Sequence, residues 1–406
     1  MAHRTLLFVA LEASITLPQL AELLAVDVEN TSFDYHNRPL DLYAPLEACT
    51  CLLTHNAKTG VLTFAHYTVK EYLVSSRISE GPAKAFQLRN DTVASVAAVC
   101  FMVYMLKATY ETDEDLVMPL AVEFWVYCVN RIRSEPIKGS LSTLILDLLD
   151  PLRPHFLKWE IWQVRYMRSS GYRWIPHLSA KSGEENCITL AYLCWFGFIE
   201  AAQKFLEHKE EGFPYEGLLL WKEHPGLELP LSDVPAPQRE GAREKKLLKY
   251  LQGSCRYGTG HEKVTVLHLA AGIQATAFIE LMGSTGANIN NCLPTGLSVL
   301  TAAVSYQCTW PGWPKQLKYH LGKKVKTLKL LISKGAELNP GRCSFTPLQA
   351  ALENISELQV YEDANFDSMF QLVQLLLDHG AKVNGVASDH ANSERIRLTL
   401  NGLLTR

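Results

Sequence analysis

Residues 265–290 decide the fold of this chain, and they read TVLHLAAGIQATAFIELMGSTGANIN. The first apolar run, at 266–271, follows Thr265, whose hydroxyl can cap the free N–H groups that open a helix. A second apolar run, at 278–282, is followed by Gly286. Glycine is favoured just past a helix end because it adopts left-handed backbone geometry easily. The stretch therefore predicts a helix, a turn, a second helix and an extended hairpin.

The same pattern returns twice downstream. The Gly-Ala-x-x-Asn motif at 286–290 recurs at 335–339 and 380–384, with spacings of 49 and 45 residues. The capped first-helix signal recurs at 298–303 and at 346–351, where Pro347 occupies the first helical position. Recurrence at intervals of about 20–50 residues is typical of stacked structural repeats. The C-terminal half is therefore predicted to be a stack of helix pairs.

A weaker unit precedes these three, at residues 188–206, with Gly197 between its two helical runs. Between it and Thr265 lies a stretch rich in proline, glycine and charge, at residues 207–263. We interpret that stretch as a long, partly flexible insertion.

This pattern resembles the ankyrin repeat, which reads T-P-L-H-x-A-A followed by a second helix ending in L-L-x-x-G-A-x-V-N. Because the ankyrin period is about 33 residues, the longer spacings imply insertions between the paired helices. One would include residues 308–324 and the other would lie near residues 354–367.

The resemblance has departures at defined positions. The motif histidine is present at His268, whereas Thr301 and Gln349 occupy the equivalent positions of the next two units. Gln274 stands where the pattern has its inter-helix glycine. Three to four units are close to the minimum for a stable stack, so the sequence predicts support from the N-terminal half.

Residues 1–80 predict a compact α+β unit. Helices are expected at 4–12, 17–25 and 42–53, followed by a β-hairpin over 52–65. Three helices followed by a two-stranded wing is a winged-helix plan.

The next residues, 66–73, read HYTVKEYL. They resemble the H-x-S-V-K-E-Y-L signature that closes the winged-helix module after the NACHT nucleotide-binding domain of fungal ankyrin-bearing proteins. Helices around 93–106 and 118–133 are similar to the helical spacer of that family. The resemblance implies a mainly α chain with three parts: a winged-helix-like α+β domain at 1–80, a helical spacer at 81–180, and an irregular ankyrin-repeat solenoid at 181–406.

Composition narrows the class of protein. Lys plus Arg number 39 against 42 for Asp plus Glu, a net charge of −3, so no global field attracts nucleic acid or anionic membrane. Ten cysteines in 406 residues are too sparse for a disulfide scaffold and are interpreted as reduced thiols in a cytoplasmic protein. The longest apolar run, residues 93–106, is shorter than the ~20 residues needed to cross a bilayer, so no membrane span is expected.

No catalytic, cofactor-binding or metal-binding residue is predicted. His66, Lys70 and Glu71 could perform acid–base chemistry, but a structural role is favoured in which the intervening residues Tyr67, Val69, Tyr72 and Leu73 pack the domain.

A metal site at Cys49 and Cys51, with His55 and His66, is disfavoured because a one-residue spacing on a helix points the two thiols about 200° apart.

The phosphate loop G-x-x-x-x-G-K-[S/T] that a NACHT domain needs is absent from the sequence, so nucleotide hydrolysis is not expected. The chain would begin where such a nucleotide domain ends.

Two features could bind anions. Around the predicted third helix of the winged-helix plan the charged residues are Asp41 and Glu47, with Arg38 the only nearby base, and this acidic balance argues against DNA binding. A lysine run between residues 315 and 334 is interleaved with aromatic residues and could bind an acidic partner, RNA or anionic lipid, although a solvated helix face is the favoured interpretation. Its members are Lys315, Lys318, Lys323, Lys324, Lys326, Lys329 and Lys334.

The function expected from the resemblance is non-enzymatic protein binding by a scaffold or sensor. The alternative is a regulatory C-terminal part of a larger NACHT-type signalling NTPase. Ankyrin stacks bind proteins through the ends of their inner helices and through their hairpin tips. The corresponding residues at the helix ends are Trp195, Phe196, Gly272, Ile273, Tyr306, Glu353 and Asn354, and those in the hairpins are Asn291, Leu293, Arg342 and Ser344.

Overall fold

The computed structural model describes residues 1–107, 116–132, 135–153, 155–156, 158–160, 162, 178–179, 186–207, 219–221, 263–305, 317–341, 343, 346–358 and 366–382. The chain is mainly helical, as the sequence predicts. Its contacts divide it into two compact units. The first comprises residues 1–175 with 204–207, and the second comprises residues 176–203 with 208–406.

The first unit begins with three helices, a β-hairpin and a fourth helix. The helices are α1 (Ala2–Ala10), α2 (Leu17–Leu24), α3 (Ala44–Ala48) and α4 (Tyr67–Val74). Strands β3 (Leu53–His55) and β4 (Leu62–Phe64) pair antiparallel. Helix α2 begins at Thr16, whose backbone N–H donates to Gln19 Oε1 at 3.0 Å, so the capping-box arrangement fixes this helix start.

Two local features differ from the sequence prediction. Helix α3 covers only Ala44–Ala48, because Pro45 lies in its first turn and Thr50 takes a left-handed φ of 48° that ends the helical path. An additional hairpin, β1 (Val26–Asp27) with β2 (Ser32–Phe33), precedes it.

The central helix of the first unit is α5 (Asn90–Lys107). It is apolar around most of its circumference, and its residues between Val93 and Met105 are buried except the half-buried Ser95 and Val96. Its neighbours are α1, α2, α6 (Met118–Arg131) and α7 (Glu135–Leu148). The predicted core helix at 93–106 is therefore confirmed. Among the described residues, no helix has the length and apolar character needed to cross a membrane.

The second unit is built from successive helix pairs. The pairs are α8 (Asn186–Phe196) with α9 (Ile199–Glu207), α10 (Val266–Gly272) with α11 (Thr276–Ser284), α12 (Val299–Ser305) with α13 (Leu317–Ser333), and α14 (Pro347–Leu358) with α15 (Phe366–Asp378). The last four residues of α9, 204–207, group with the first unit.

These helices form two rows. The first helices of the pairs contact one another in the order α8, α10, α12, α14, and the second helices contact in the order α11, α13, α15. The core between the rows contains fully buried side chains from both, among them Leu267, Ile279, Leu300 and Leu331. Each pair therefore covers the apolar side of the next, as stacked repeats require.

Three predicted loop regions contain regular structure. Strand β6 (Leu219–Trp221) lies within the predicted insertion at 207–263 and pairs antiparallel with β5 (Leu178–Ser179) and β7 (Lys263–Val264). Helix α13 starts at Leu317, within the first expected insertion, and helix α14 continues to Leu358, within the second.

Candidate protein-binding surface

The helix starts of the inner row carry a repeated polar contact. Thr265 accepts a hydrogen bond from the His268 backbone N–H at 3.3 Å, and its hydroxyl lies 2.7 Å from His268 Nδ1. The His268 Nε2 atom is 3.1 Å from the Leu297 carbonyl oxygen, so His268 also links α10 to the start of the next pair. Both Thr265 and His268 are 1% exposed.

The residues that replace this histidine make the same cap. Thr301 donates its backbone N–H to Ser298 Oγ at 3.1 Å, and the two hydroxyls are 2.8 Å apart. Gln349 donates its backbone N–H to Thr346 Oγ1 at 3.2 Å, while its Oε1 accepts from the Thr346 N–H at 2.7 Å. The position of the histidine therefore needs a side chain that can form a hydrogen bond with the capping residue. Threonine and glutamine side chains form such a bond as well as histidine does.

Acid should destabilise the second unit through His268. Burial lowers the pKa of His268 from 6.5 to about 4, with the Leu297 carbonyl acting in the opposite direction. Between pH 6.5 and pH 4, His268 is protonated in the unfolded chain but neutral in the folded chain. The free energy of unfolding therefore has its full value above pH 6.5 and falls as the pH drops toward 4. We expect a loss of about 1.4 kcal/mol per pH unit in that window, measured by urea unfolding.

The control for this prediction is His268→Gln, which places in α10 the residue that α14 uses at the same position. The difference in unfolding free energy between wild type and variant should narrow as the pH falls from 6.5 to 4. A constant difference across that range would contradict the assignment to His268.

The turns between and after the paired helices use left-handed residues. Gly286, Gly335 and Gly380 have φ values of 98°, 85° and 94°, which confirms the sequence prediction for these positions. Gly197 has a φ of 78° at the inter-helix position, and Gln274 takes the equivalent conformation with a φ of 64°. The missing glycine thus leaves the turn unchanged but adds backbone strain at Gln274.

The Gln274 side chain forms contacts that offset this strain. Its Nε2 donates at 3.0 Å to the Gly272 carbonyl and at 3.0 Å to the Ala303 carbonyl of the neighbouring helix α12. Ala303 lies in the last turn of α12, where carbonyl groups have no partner within the helix. The contact also shows that the C-terminal ends of α10 and α12 lie side by side.

Two variants of Gln274 should separate the contribution of its side-chain hydrogen bonds to stability from the cost of its backbone strain. Gln274→Ala keeps the left-handed conformation and loses both side-chain bonds, so we expect it to lower the free energy of unfolding by about 1–3 kcal/mol. Gln274→Gly loses the same bonds but relieves backbone strain of about 1 kcal/mol, so its loss should be smaller. Urea unfolding of both variants tests this order; a glycine variant less stable than the alanine variant would contradict it.

One residue of the lysine run has a structural role. Lys324 is 8% exposed, and its Nζ donates to the Val304 carbonyl at the end of α12 at 2.9 Å. Lys326 and Lys329 lie on the same helix, α13, and are exposed. The run therefore combines an inward-facing helix cap with outward-facing lysines.

Asparagine side chains connect the turns that follow consecutive second helices. Asn290 donates from Nδ2 to the Gly335 carbonyl at 3.0 Å and accepts from the Glu337 N–H at 2.8 Å. Asn339 repeats this arrangement one unit later, with the Gly380 carbonyl at 2.9 Å and the Lys382 N–H at 2.7 Å. The asparagine of the sequence motif thus joins the turn after α11 to the turn after α13, and the turn after α13 to the turn after α15.

The candidate residues at the helix ends differ in exposure. Trp195 and Phe196, at the end of α8, are half-buried, and the Phe196 ring stacks on Tyr192 with centroids 6.1 Å apart. Gly272 is buried at the end of α10, while Ile273 immediately after it is half-buried. Ile273 therefore offers apolar surface beside the aligned ends of α10 and α12.

The remaining candidates, at helix ends and in hairpins, fall into three groups. Asn291 is half-buried, whereas Leu293 is 5% exposed and its backbone closes a turn with Leu297 and Gly296, so its side chain packs inward. Glu353 and Asn354 lie within α14. Tyr306, Arg342 and Ser344 lie outside the described residues.

Two hairpin cysteines overturn one sequence interpretation. Cys292 and Cys343 form a disulfide with their Cα atoms 6.6 Å apart, so these two are not the reduced thiols that the cysteine count suggested. A separation of 51 residues hides this proximity in the sequence, because only stacking brings the two hairpins together. The other cysteines in the described residues are thiols, and only Cys51 among them is exposed.

The residues considered for chemistry in the first unit have structural contacts. His66 begins α4 and its Nδ1 accepts from the Thr68 N–H at 3.2 Å, while Lys70 pairs with Glu12. Tyr67 and Tyr72 are 69% and 45% exposed, so the expectation that they pack the domain is wrong.

The thiols of Cys49 and Cys51, which the sequence predicts to point apart, differ in exposure. Cys49 is buried and Cys51 is exposed, so their sulfur atoms face different environments. Within the described part of the chain, no three or more histidine, cysteine or acidic side chains are grouped as a metal site would require.

The chain was also compared with known proteins. The chain matches no family model, no curated protein and no solved structure.

Proposed function

We propose that this chain is a non-enzymatic protein-binding scaffold whose second unit is an ankyrin-like repeat stack. The observation that carries the proposal is the repeated asparagine bridge, in which Asn290 and Asn339 make the same two bonds to the next unit. A periodic bridge aligns consecutive hairpins and leaves a continuous edge that another protein can contact. We place this activity in the cytoplasm as part of the same proposal.

The surface for a partner would combine the helix ends with the hairpins. The bond from Gln274 to Ala303 holds the ends of α10 and α12 together, with Ile273 half-buried at this edge. A partly exposed branched apolar side chain next to backbone polar groups suits an extended peptide segment. Binding energy at such surfaces is concentrated in a few residues.

A selection from a random peptide library displayed on phage tests this proposal with the full chain as bait. Enriched peptides should bind Ile273→Ala at least about fivefold more weakly, the effect of a side chain contributing more than 1 kcal/mol. The thermal unfolding of this variant should stay close to that of the wild type, since Ile273 is not in the buried core.

Lys329→Ala is the matched control, because Lys329 is exposed on helix α13 of the other row. It should bind the enriched peptides with wild-type affinity. Failure to enrich any peptide, or equal affinity of the Ile273→Ala variant and the wild type, would contradict the proposed surface.

The first unit favours a second candidate function. Helices α1, α2 and α3, the β3–β4 hairpin and the His66-capped α4 occur in the order of a winged-helix module. In the resembling family this module follows a NACHT domain, which would make the chain the regulatory part of a signalling NTPase. Genomic sequence upstream of Met1 tests this candidate: an open frame encoding a phosphate loop would support it, and a stop codon without such a frame would exclude it.

A further inference from the structure

The disulfide between Cys292 and Cys343 lies beside the candidate hairpin residues. Cys292 is flanked by Asn291 and Leu293, and Cys343 by Arg342 and Ser344. The two cysteines follow α11 and α13, the second helices of consecutive pairs. The bond therefore joins the hairpin segments of two neighbouring repeats covalently.

The disulfide adds a covalent connection between two segments that the hydrogen bonds of Asn290 already join. Asn290 holds the bases of these hairpins together through Gly335 and Glu337. Cys292 and Cys343 lie further along the two segments, so opening the disulfide leaves the base bridge in place and removes the covalent link beyond it. The hairpins would then be joined by hydrogen bonds alone.

We propose that the Cys292–Cys343 disulfide is a reversible redox clip that fixes two adjacent hairpins and thereby controls partner binding at their tips. This inference rests on the proposed function. A disulfide in a cytoplasmic protein is more often a redox-sensing device than a permanent staple.

The position of the two cysteines supports reversibility. Cys292 and Cys343 are both half-buried, so neither residue is enclosed in the core. The free cysteines Cys49, Cys100 and Cys128 are buried instead, and burial raises their pKa values to about 11, 11 and 12, which suppresses the reactive thiolate. The hairpin pair is thus chemically distinct from these three.

The reaction partner is a low-molecular-weight thiol of the glutathione class. One thiolate attacks a sulfur of the clip, forms a mixed disulfide and releases the other cysteine as a thiolate. A second thiolate attacks the reagent's sulfur in the mixed disulfide and releases the remaining cysteine as a thiolate. Two electrons have then reached Cys292 and Cys343, each cysteine thiolate takes up a proton, and the reagent leaves as its own disulfide. Oxidation by that disulfide reverses these steps.

Closing the clip should strengthen binding. A covalent bridge removes conformational freedom that the hairpin tips would otherwise lose when a partner binds, so less of the interaction energy is spent on ordering. The expected coupling between oxidation and binding is on the order of tenfold.

The first experiment tests the clip without any partner. The full chain is equilibrated in buffers with different ratios of reduced to oxidised glutathione, quenched with acid, alkylated and mapped by mass spectrometry. We expect the peptide linked through Cys292 and Cys343 to form and disappear reversibly with that ratio, while the exposed Cys51 is alkylated in every reducing buffer as an internal control. Free thiols at 292 and 343 in the most oxidising buffer, or a link that resists native reduction, would overturn the clip.

The second experiment tests control of the surface. Hydrogen exchange of the backbone amides at 287–297 should be slower in the oxidised than in the reduced chain, and the phage-selected peptides should bind the oxidised chain about tenfold more tightly. Cys343→Ser should behave as the reduced chain in both buffers, and Cys51→Ser as the wild type.

The two failures can be distinguished. If the disulfide opens and closes but peptide affinity stays constant, the regulatory inference is wrong and the proposed function stands. If the selection yields no peptide, the proposed function fails and the binding part of this inference fails with it, whereas mass spectrometry and hydrogen exchange still report whether the clip controls the hairpins.

Discussion

Replacing Leu331 with alanine lowers the free energy of unfolding of the second unit by about 2–5 kcal/mol. Leu331 is 0% exposed in helix α13, which contacts α11, α12 and α15. Removing its side chain leaves a cavity between the two rows, and neighbouring side chains held by their own helices fill such a space only in part. Leu376, also 0% exposed in α15, should respond in the same range.

Urea unfolding followed by circular dichroism measures this loss, and hydrogen exchange locates it in the second unit. Lys329→Ala is the matched control on the same helix, because Lys329 is exposed and its truncation should change the unfolding free energy by no more than about 0.5 kcal/mol. Equal losses for Leu331→Ala and Lys329→Ala would mean that the two rows do not pack as described.

The helix pairs could be predicted because their signals are local. A left-handed turn just after a helix end favours glycine, and Gly286, Gly335 and Gly380 each lie two residues after the end of a helix. The caps at Thr265 and Thr346 are equally local, since the bonded groups lie three residues apart. Regular spacing along the chain then indicated the stack.

Features that depend on contacts between residues far apart in the sequence could not be predicted from it. The Cys292–Cys343 bond joins residues 51 positions apart, and strand β6 pairs with two distant strands. No local pattern distinguishes such residues from ordinary ones.

The candidate surface was predictable only in outline. The sequence resemblance selected residues at helix ends and hairpins, but it could not show that Ile273 keeps exposed surface while Leu293 turns inward. Exposure depends on how the hairpin closes, here through the backbone bonds of Leu293 with Gly296 and Leu297.

The lysine run also did not show from its sequence which of its side chains are buried. Lys324 and Lys326 stand two positions apart in one basic run, yet the first is buried and the second exposed. A helix rotates by about 200° over two residues, which places these side chains on nearly opposite faces. Charge reversal at Lys324 would therefore disturb the fold, and a test of the basic face for partner binding should use the exposed Lys326 instead.

Lys324→Glu should be among the most destabilising substitutions in the second unit, lowering its free energy of unfolding by at least about 3 kcal/mol. The wild-type ammonium group satisfies the Val304 carbonyl at 2.9 Å and lies at the C-terminal end of α12, where the helix dipole favours positive charge. A carboxylate there cannot donate a hydrogen bond, is repelled by the helix end and is removed from water.

Two further variants divide this effect into its parts. Lys324→Met keeps most of the aliphatic stem and loses only the donor and the charge, so we expect an intermediate loss of about 1–3 kcal/mol. Lys326→Glu makes the same charge change on the exposed face and should alter stability by no more than about 0.5 kcal/mol. Urea unfolding should rank the losses as Lys324→Glu, then Lys324→Met, then Lys326→Glu. Equal losses for the two glutamate variants would show that net charge, and not the cap on Val304, explains the effect.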